Sequence, residues 1–155
     1  MNVLRGMLLF VAAMFLQWWW NAHLGYWGAA PQFLLAFTVL VAARRGPVTA
    51  MLVGFAWGLF SDTLRADMFG ADALLYMLAG YSAGMFRRQI DLSEPEPLAA
   101  TVFLLTWAYA LMIGFLGHVF LKSFVWVGWI SFIATPFMNA LVAIAASLAL
   151  GGGRG

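Results

Sequence analysis

The sequence predicts an all-α, polytopic membrane protein with six transmembrane helices. Three observations predict it. The chain of 155 residues is 65% hydrophobic and 9% charged, with a mean hydropathy of +0.91. An ordinary soluble domain is about 45–50% apolar and about 25% charged. The second observation is where the few charges fall. They leave charge-free runs at 6–43, 46–61, 73–86, 97–121 and 123–153. The third is that Lys and Arg gather on one side of the arrangement those runs imply. This composition excludes a soluble enzyme, a disordered chain and a nucleic-acid binder. With no cysteine there is no disulfide frame, thiol nucleophile or thiolate metal site.

A spanning helix needs roughly 20 residues, so the run 6–43 is too long for one. Asn21-Ala22-His23-Leu24-Gly25-Tyr26-Trp27-Gly28, followed by Pro31, reads as a turn that divides it. The expected spans are 6–22 and 28–43. Arg5 before an apolar stretch is also how a signal peptide begins, but a second apolar run follows too closely for that reading. The runs 46–61 and 73–86 are short and span with their flanking charges at the headgroups. The fifth span is expected near 98–117 and the sixth near 128–149, with 118–127 as a loop or interfacial segment. Residues 1–150 thus read as one transmembrane domain and 151–155 as a frayed tail.

Basic residues favour the cytoplasmic side. With both termini inside, Arg5, Arg44, Arg45, Arg87, Arg88 and Arg154 are cytoplasmic, and Arg65 and Lys122 are outside. A five-span chain divides the eight at best five against three. In the six-span topology Trp18, Trp19, Trp20, Trp27, Trp126 and Trp129 fall near the outer surface. They form either an anchoring belt or the wall of an outward aromatic pocket, which would suit a small-molecule-binding subunit or transporter.

The third span carries Gly54, Gly58 and Asp62 at i, i+4 and i+8, on one helix face. The two glycines form a G-x-x-x-G groove that admits a close neighbour. That neighbour is a helix of the same chain or a partner's helix. Asp62 sits at the groove's outer mouth, with Arg65 its nearest cation in sequence. Ionisable groups at membrane depth are functional candidates by default; solvation or capping of the next turn is the plainer role. The fourth span has a second such motif, Gly80 and Gly84, so the third and fourth spans are expected to be close neighbours. Phe69-Gly70 reads as the turn between them. Asp62, Asp67 and Asp72 lack the spacing of a calcium loop, and no metal site is expected.

Arg44-Arg45-Gly46-Pro47 and Arg87-Arg88 mark cytoplasmic turns, set there by topology and anionic lipid or by docking of a cytoplasmic protein. Asp91 to Pro97 reads as a solvated linker. In the last span Pro136 is expected to kink the helix, and Asn139 to bond across to another span. No catalytic residue and no cofactor is expected: neither H-E-x-x-H nor G-x-S-x-G occurs, and no serine has a recognisable base partner.

In order along the chain, Pro31-Gln32-Phe33-Leu34-Leu35, Arg44-Arg45-Gly46-Pro47, Gly54-x-x-x-Gly58-Leu59-x-x-Asp62, Phe69-Gly70-Ala71-x-Ala73-Leu74 and Gly80-Tyr81 occur with family-like spacing. This set, over residues 28–90, resembles the rod shape-determining MreD family. Gln32 departs from the pattern, since the family often carries Asp after the proline; no role for an acid carries over to that position. The resemblance implies a non-enzymatic inner-membrane scaffold of the cell-elongation machinery. It implies binding to MreC, a single-span protein with a periplasmic domain. Through MreC it implies support of the RodA glycosyltransferase and its transpeptidase partner, coordination with MreB, and higher-order assembly. It also implies a six-helix fold similar to the substrate-binding subunits of energy-coupling-factor transporters. Under it, Gly54, Gly58, Asp62, Arg65, Gly70, Gly80 and Gly84 are the candidate partner-binding residues.

Overall fold

The structure is a computed structural model. It describes residues 3–25, 28–64 and 67–151, without the side chain of Gly151. Six helices follow one another: α1 (Val3–His23), α2 (Phe33–Arg45), α3 (Pro47–Thr63), α4 (Ala71–Phe86), α5 (Pro95–Leu121) and α6 (Trp129–Gly151). Each expected span holds one helix, but the second differs in kind. Residues 28–32 are not helical, and α2 has only 13 residues, of which all but Arg44 and Arg45 are buried. Pro31 explains the late start, since proline and the residue before it both resist helix. The burial follows from a sequence that is apolar all round, which belongs inside a bundle. Apolar stretches of about 10–14 residues are typically core helices. α2 accordingly packs against each of the other five helices.

Three helices are long and apolar enough to cross a membrane by length and composition: α1, α5 and α6, the last over Trp129–Leu150. All six expected helices are present, and among the described residues these three have crossing length. α2, α3 and α4 have 13, 17 and 16 residues. At 1.5 Å per residue these are about 20–26 Å long, against a hydrocarbon core of about 30 Å.

The connections are short. Gly46 alone joins α2 to α3, at φ 90°, a conformation that favours glycine. Pro47 then opens α3, where its missing N–H costs nothing. α5 runs four residues further than the expected span end, to Leu121, and is closed by Lys122 at φ 55°. The following segment folds back on it. A Cβ on Gly114 would lie 2.4 Å from Phe124, and one on Gly117 would lie 2.3 Å from Val125.

Pro136 lies inside α6, which continues through it. A proline cannot donate to the carbonyl four residues back, here that of Phe132. That carbonyl accepts instead from Trp107 Nε1–H on α5, at 3.0 Å. α1 is the most loosely held helix, with Ala13 its one fully buried residue.

Candidate functional site

α3 and α4 form the most extensive helix pair in the chain. The glycines dictate how close they come. A Cβ on Gly54 would lie 2.4 Å from the Tyr76 carbonyl oxygen, and one on Gly58 would lie 2.4 Å from Ala73 Cα. From the other side, a Cβ on Gly80 would lie 2.5 Å from the Ala50 carbonyl oxygen, and one on Gly84 would lie 2.3 Å from Pro47 Cα. Backbone meets backbone, so any side chain at these positions pushes the helices apart. Both G-x-x-x-G faces are thus turned toward each other within one chain. Of the two neighbours the sequence left open for them, the structure supplies the internal one.

Asp62 is 1% exposed, at the end of this seam. Its carboxylate accepts from the backbone N–H of Asp72 at 3.0 Å and of Ala73 at 2.9 Å. Those are two of the orphan donors that begin every helix. The N-cap position of α4 is Gly70, at φ 94°, which has no side chain to supply a cap. α3 therefore caps α4 across the turn, and the negative charge also suits the positive end of the α4 dipole. Asp72, 2% exposed, accepts from Ser61 Oγ at 2.9 Å and from the Tyr109 hydroxyl at 2.5 Å. This ties α3, α4 and α5 at one end of the bundle. Tyr109 also lies against Tyr76, with ring centroids 5.7 Å apart.

The non-helical segment before α2 has its own supports, since backbone away from water must find partners. The N–H of Gln32 donates to Asn139 Oδ1 at 2.6 Å, and that of Phe33 donates to Gln17 Oε1 at 3.2 Å. Asn139 Nδ2 donates to Thr106 Oγ1 at 2.9 Å, and Thr106 donates to the Val102 carbonyl at 2.7 Å. Ser131 Oγ donates to the Gly28 carbonyl. Asn139 thus bonds across to α5 and to the strap before α2.

The strap, the end of α3, the start of α4 and the facing parts of α1, α5 and α6 enclose a cavity of about 430 Å³. Gln17, Asn21 and Gln32 bring amides to its wall; Ser61, Thr106, Ser131 and Thr135 bring hydroxyls; Asp72, Tyr76, Tyr109 and Phe132 also line it. No tryptophan is among these residues. Trp18, Trp19, Trp126 and Trp129 are exposed, and this cavity is not the tryptophan-walled pocket of the second expectation. Trp27 lies outside the described residues.

At the opposite end, Arg5, Arg44, Arg45, Arg87 and Arg88 are all exposed, at the start of α1 and the ends of α2 and α4. Asp91 lies in the connection after Arg88. The Ser93 backbone N–H donates to it at 2.9 Å and holds its carboxyl below the usual aspartate range, helped by the Ser93 hydroxyl and Arg87. Arg65 and Arg154 lie outside the described residues, as do residues 152–155 of the expected tail. Among the described residues no group of three or more His, Cys, Asp or Glu is placed to hold a metal ion.

Gln17, Thr106, Tyr76 and Tyr109 were not singled out from the sequence, and Gln32 stood out only as a departure from the family pattern. The signal for Gln17 and Thr106 was present, as polar residues inside apolar runs. The tyrosines carried none, because a Tyr in a span is equally at home facing lipid headgroups.

Comparison with known proteins gives one family, rod shape-determining protein MreD, whose model matches residues 1–150. No curated protein and no solved structure gives a significant match.

Proposed function

We propose, from the premise that the chain belongs to the rod shape-determining protein MreD family, that it is a non-enzymatic scaffold of the cell-elongation machinery that binds MreC. Family membership supports the role in rod shape. The contact with MreC, and through it with RodA, the transpeptidase partner and MreB, is the finer part of the proposal. So is a six-crossing arrangement with both termini in the cytoplasm. Under it the short helices α2 to α4 cross as part of the bundle, α2 walled by its neighbours and α3 and α4 each showing an apolar face outward, and the arginine-rich end faces the cytoplasm. The likeness to the substrate-binding subunits of energy-coupling-factor transporters belongs to the same proposal, supported by six helices around one polar cavity.

One observation carries the scaffold reading. The chain spends its groove-forming glycines and its best-placed carboxylates on holding α3, α4 and α5 together. What remains for a partner is the outer surface of that unit. Leu64 and Phe69 are 71% and 67% exposed, in the turn beside α4. Asp67, Phe69, Leu74, Leu116 and Phe120 line a groove of about 410 Å³ there. Apolar side chains flanked by a charge at the membrane border suit the helix end of a single-span partner. The seat for MreC is therefore placed on this outer groove and not in the glycine seam.

The test is co-purification with tagged MreC in mild detergent. Wild-type protein is expected to carry MreC, and Phe69→Asp to lose at least about tenfold of it, as expected when an exposed aromatic anchor is removed. Undiminished MreC on Phe69→Asp would remove the contact from this groove.

A further inference from the structure

The polar cavity is not needed to explain a scaffold. We propose that it binds an uncharged small molecule carrying several hydroxyl or amide groups on a compact ring, of the chemical class of a neutral sugar. This inference is independent of where MreC sits.

Size comes first. About 430 Å³ falls within the 300–1,000 Å³ usual for small-ligand sites. Placement comes second. The cavity lies near the ends of α1 and α3, the starts of α2, α4 and α6 and the middle of α5, so every helix contributes to its wall. Chemistry decides the class. Amides from Gln17, Asn21 and Gln32 both donate and accept hydrogen bonds. The rings of Tyr76, Tyr109 and Phe132 offer flat apolar faces beside them. Paired donors and acceptors next to ring faces match a molecule with hydroxyls around its edge and C–H faces. The described lining holds a carboxylate, Asp72, and no Lys, Arg or His. An anion would meet that carboxylate without a compensating cation in this lining, which argues against phosphates and acids.

Gln32 adds an independent observation. Its backbone N–H is spent on Asn139, yet its side-chain Oε1 is buried with no hydrogen-bond partner among the described residues. A native structure rarely leaves such an acceptor unpaired, because the unmade bond is costly. Gln32 also lines the cavity, so this acceptor without a partner lies at the cavity wall.

The experiment uses the full chain in mild-detergent micelles and reads thermal unfolding with glucose or N-acetylglucosamine, with glucose 6-phosphate as the anionic control. At least one neutral sugar is expected to raise Tm with saturation, and the phosphate ester is not. Gln32→Met keeps the backbone bond to Asn139 and removes the amide. It is expected to weaken the sugar at least tenfold while its own unliganded Tm stays at or above wild type. Asn21→Leu, at an exposed position on the wall, is the second variant and is expected to weaken binding likewise. General sugar stabilisation by exclusion from the surface does not saturate and is equal in all variants. Native mass spectrometry of protein taken directly from membranes separates the sources. A sugar-sized adduct lost in Gln32→Met means a free molecule, and one carrying acyl mass means a glycolipid headgroup; both support the class. No saturable effect of either neutral sugar, equal effects in both variants, or equal binding of the phosphate ester overturns it.

Discussion

Asp62 replaces a missing local cap with a tertiary one. Gly70 is the residue the turn geometry demands, and it leaves the first N–H groups of α4 without a side-chain acceptor. Asp62→Ala is expected to lower stability by about 2 kcal/mol, the upper end for loss of an N-cap, because two donors lose their partner at a buried site. Asp62→Asn keeps one acceptor oxygen and should recover part of the loss. Chemical denaturation in detergent reads both. Asn139 holds an unpaired backbone donor rather than a side chain that could turn elsewhere. Interhelical side-chain bonds in membranes average only about 0.6 kcal/mol, but stranding the Gln32 N–H should bring Asn139→Leu to about 1–3 kcal/mol. At the exposed end, the titration of Asp91 is linked to stability. Its folded pKa is lowered, so its contribution is complete above the unfolded value and is lost as pH falls through the lowered one. Protection of the Ser93 amide, taken relative to its intrinsic exchange rate, should therefore fall as pH drops below the ordinary aspartate range, and Asp91→Asn should remove that dependence.

Helices were more legible than their company. The charge-free runs and the Gly–Asn–Pro turn located all six, because a chain in lipid must use helices and must end them at polar residues. The pairing of α3 with α4 was legible from two G-x-x-x-G motifs, since only close backbone approach needs them. Which helix sits in the middle was not. α2 and α4 are both short and apolar, and only the three-dimensional packing shows that α2 is walled on all sides. The strap at 28–32 was hidden for a related reason. Its partners, Gln17 and Asn139, are 15 and 107 positions from Gln32 in the sequence, and nothing local ties them. In the α3–α4 seam, Gly58→Ala already forces a Cβ to within 2.4 Å of Ala73 Cα. Overpacking of this kind costs about 1–3 kcal/mol, and thermal unfolding should register it.

For the whole molecule, alternation of helix direction puts five described arginines at one end and Lys122 at the other. The chain has no cysteine, so single engineered thiols report sidedness without a background. The thiols of Ile90→Cys and Ser93→Cys, at exposed positions, are expected to be shielded from an impermeant reagent in intact cells, and those of Asp67→Cys and Ser123→Cys to be labelled. Labelling of Ile90→Cys would break the six-crossing arrangement.

If the glycine seam is internal and the partner's seat lies outside it, stability and partner binding separate by mutation. Gly58→Ala and Phe69→Asp, measured side by side for thermal stability and for MreC recovered per molecule of folded protein, test it most directly. Gly58→Ala is expected to melt earlier yet carry MreC normally when folded, while Phe69→Asp is expected to melt like wild type and lose MreC. Gly58→Ala melting like wild type and losing MreC would contradict it, and would return the partner's helix to the glycine groove.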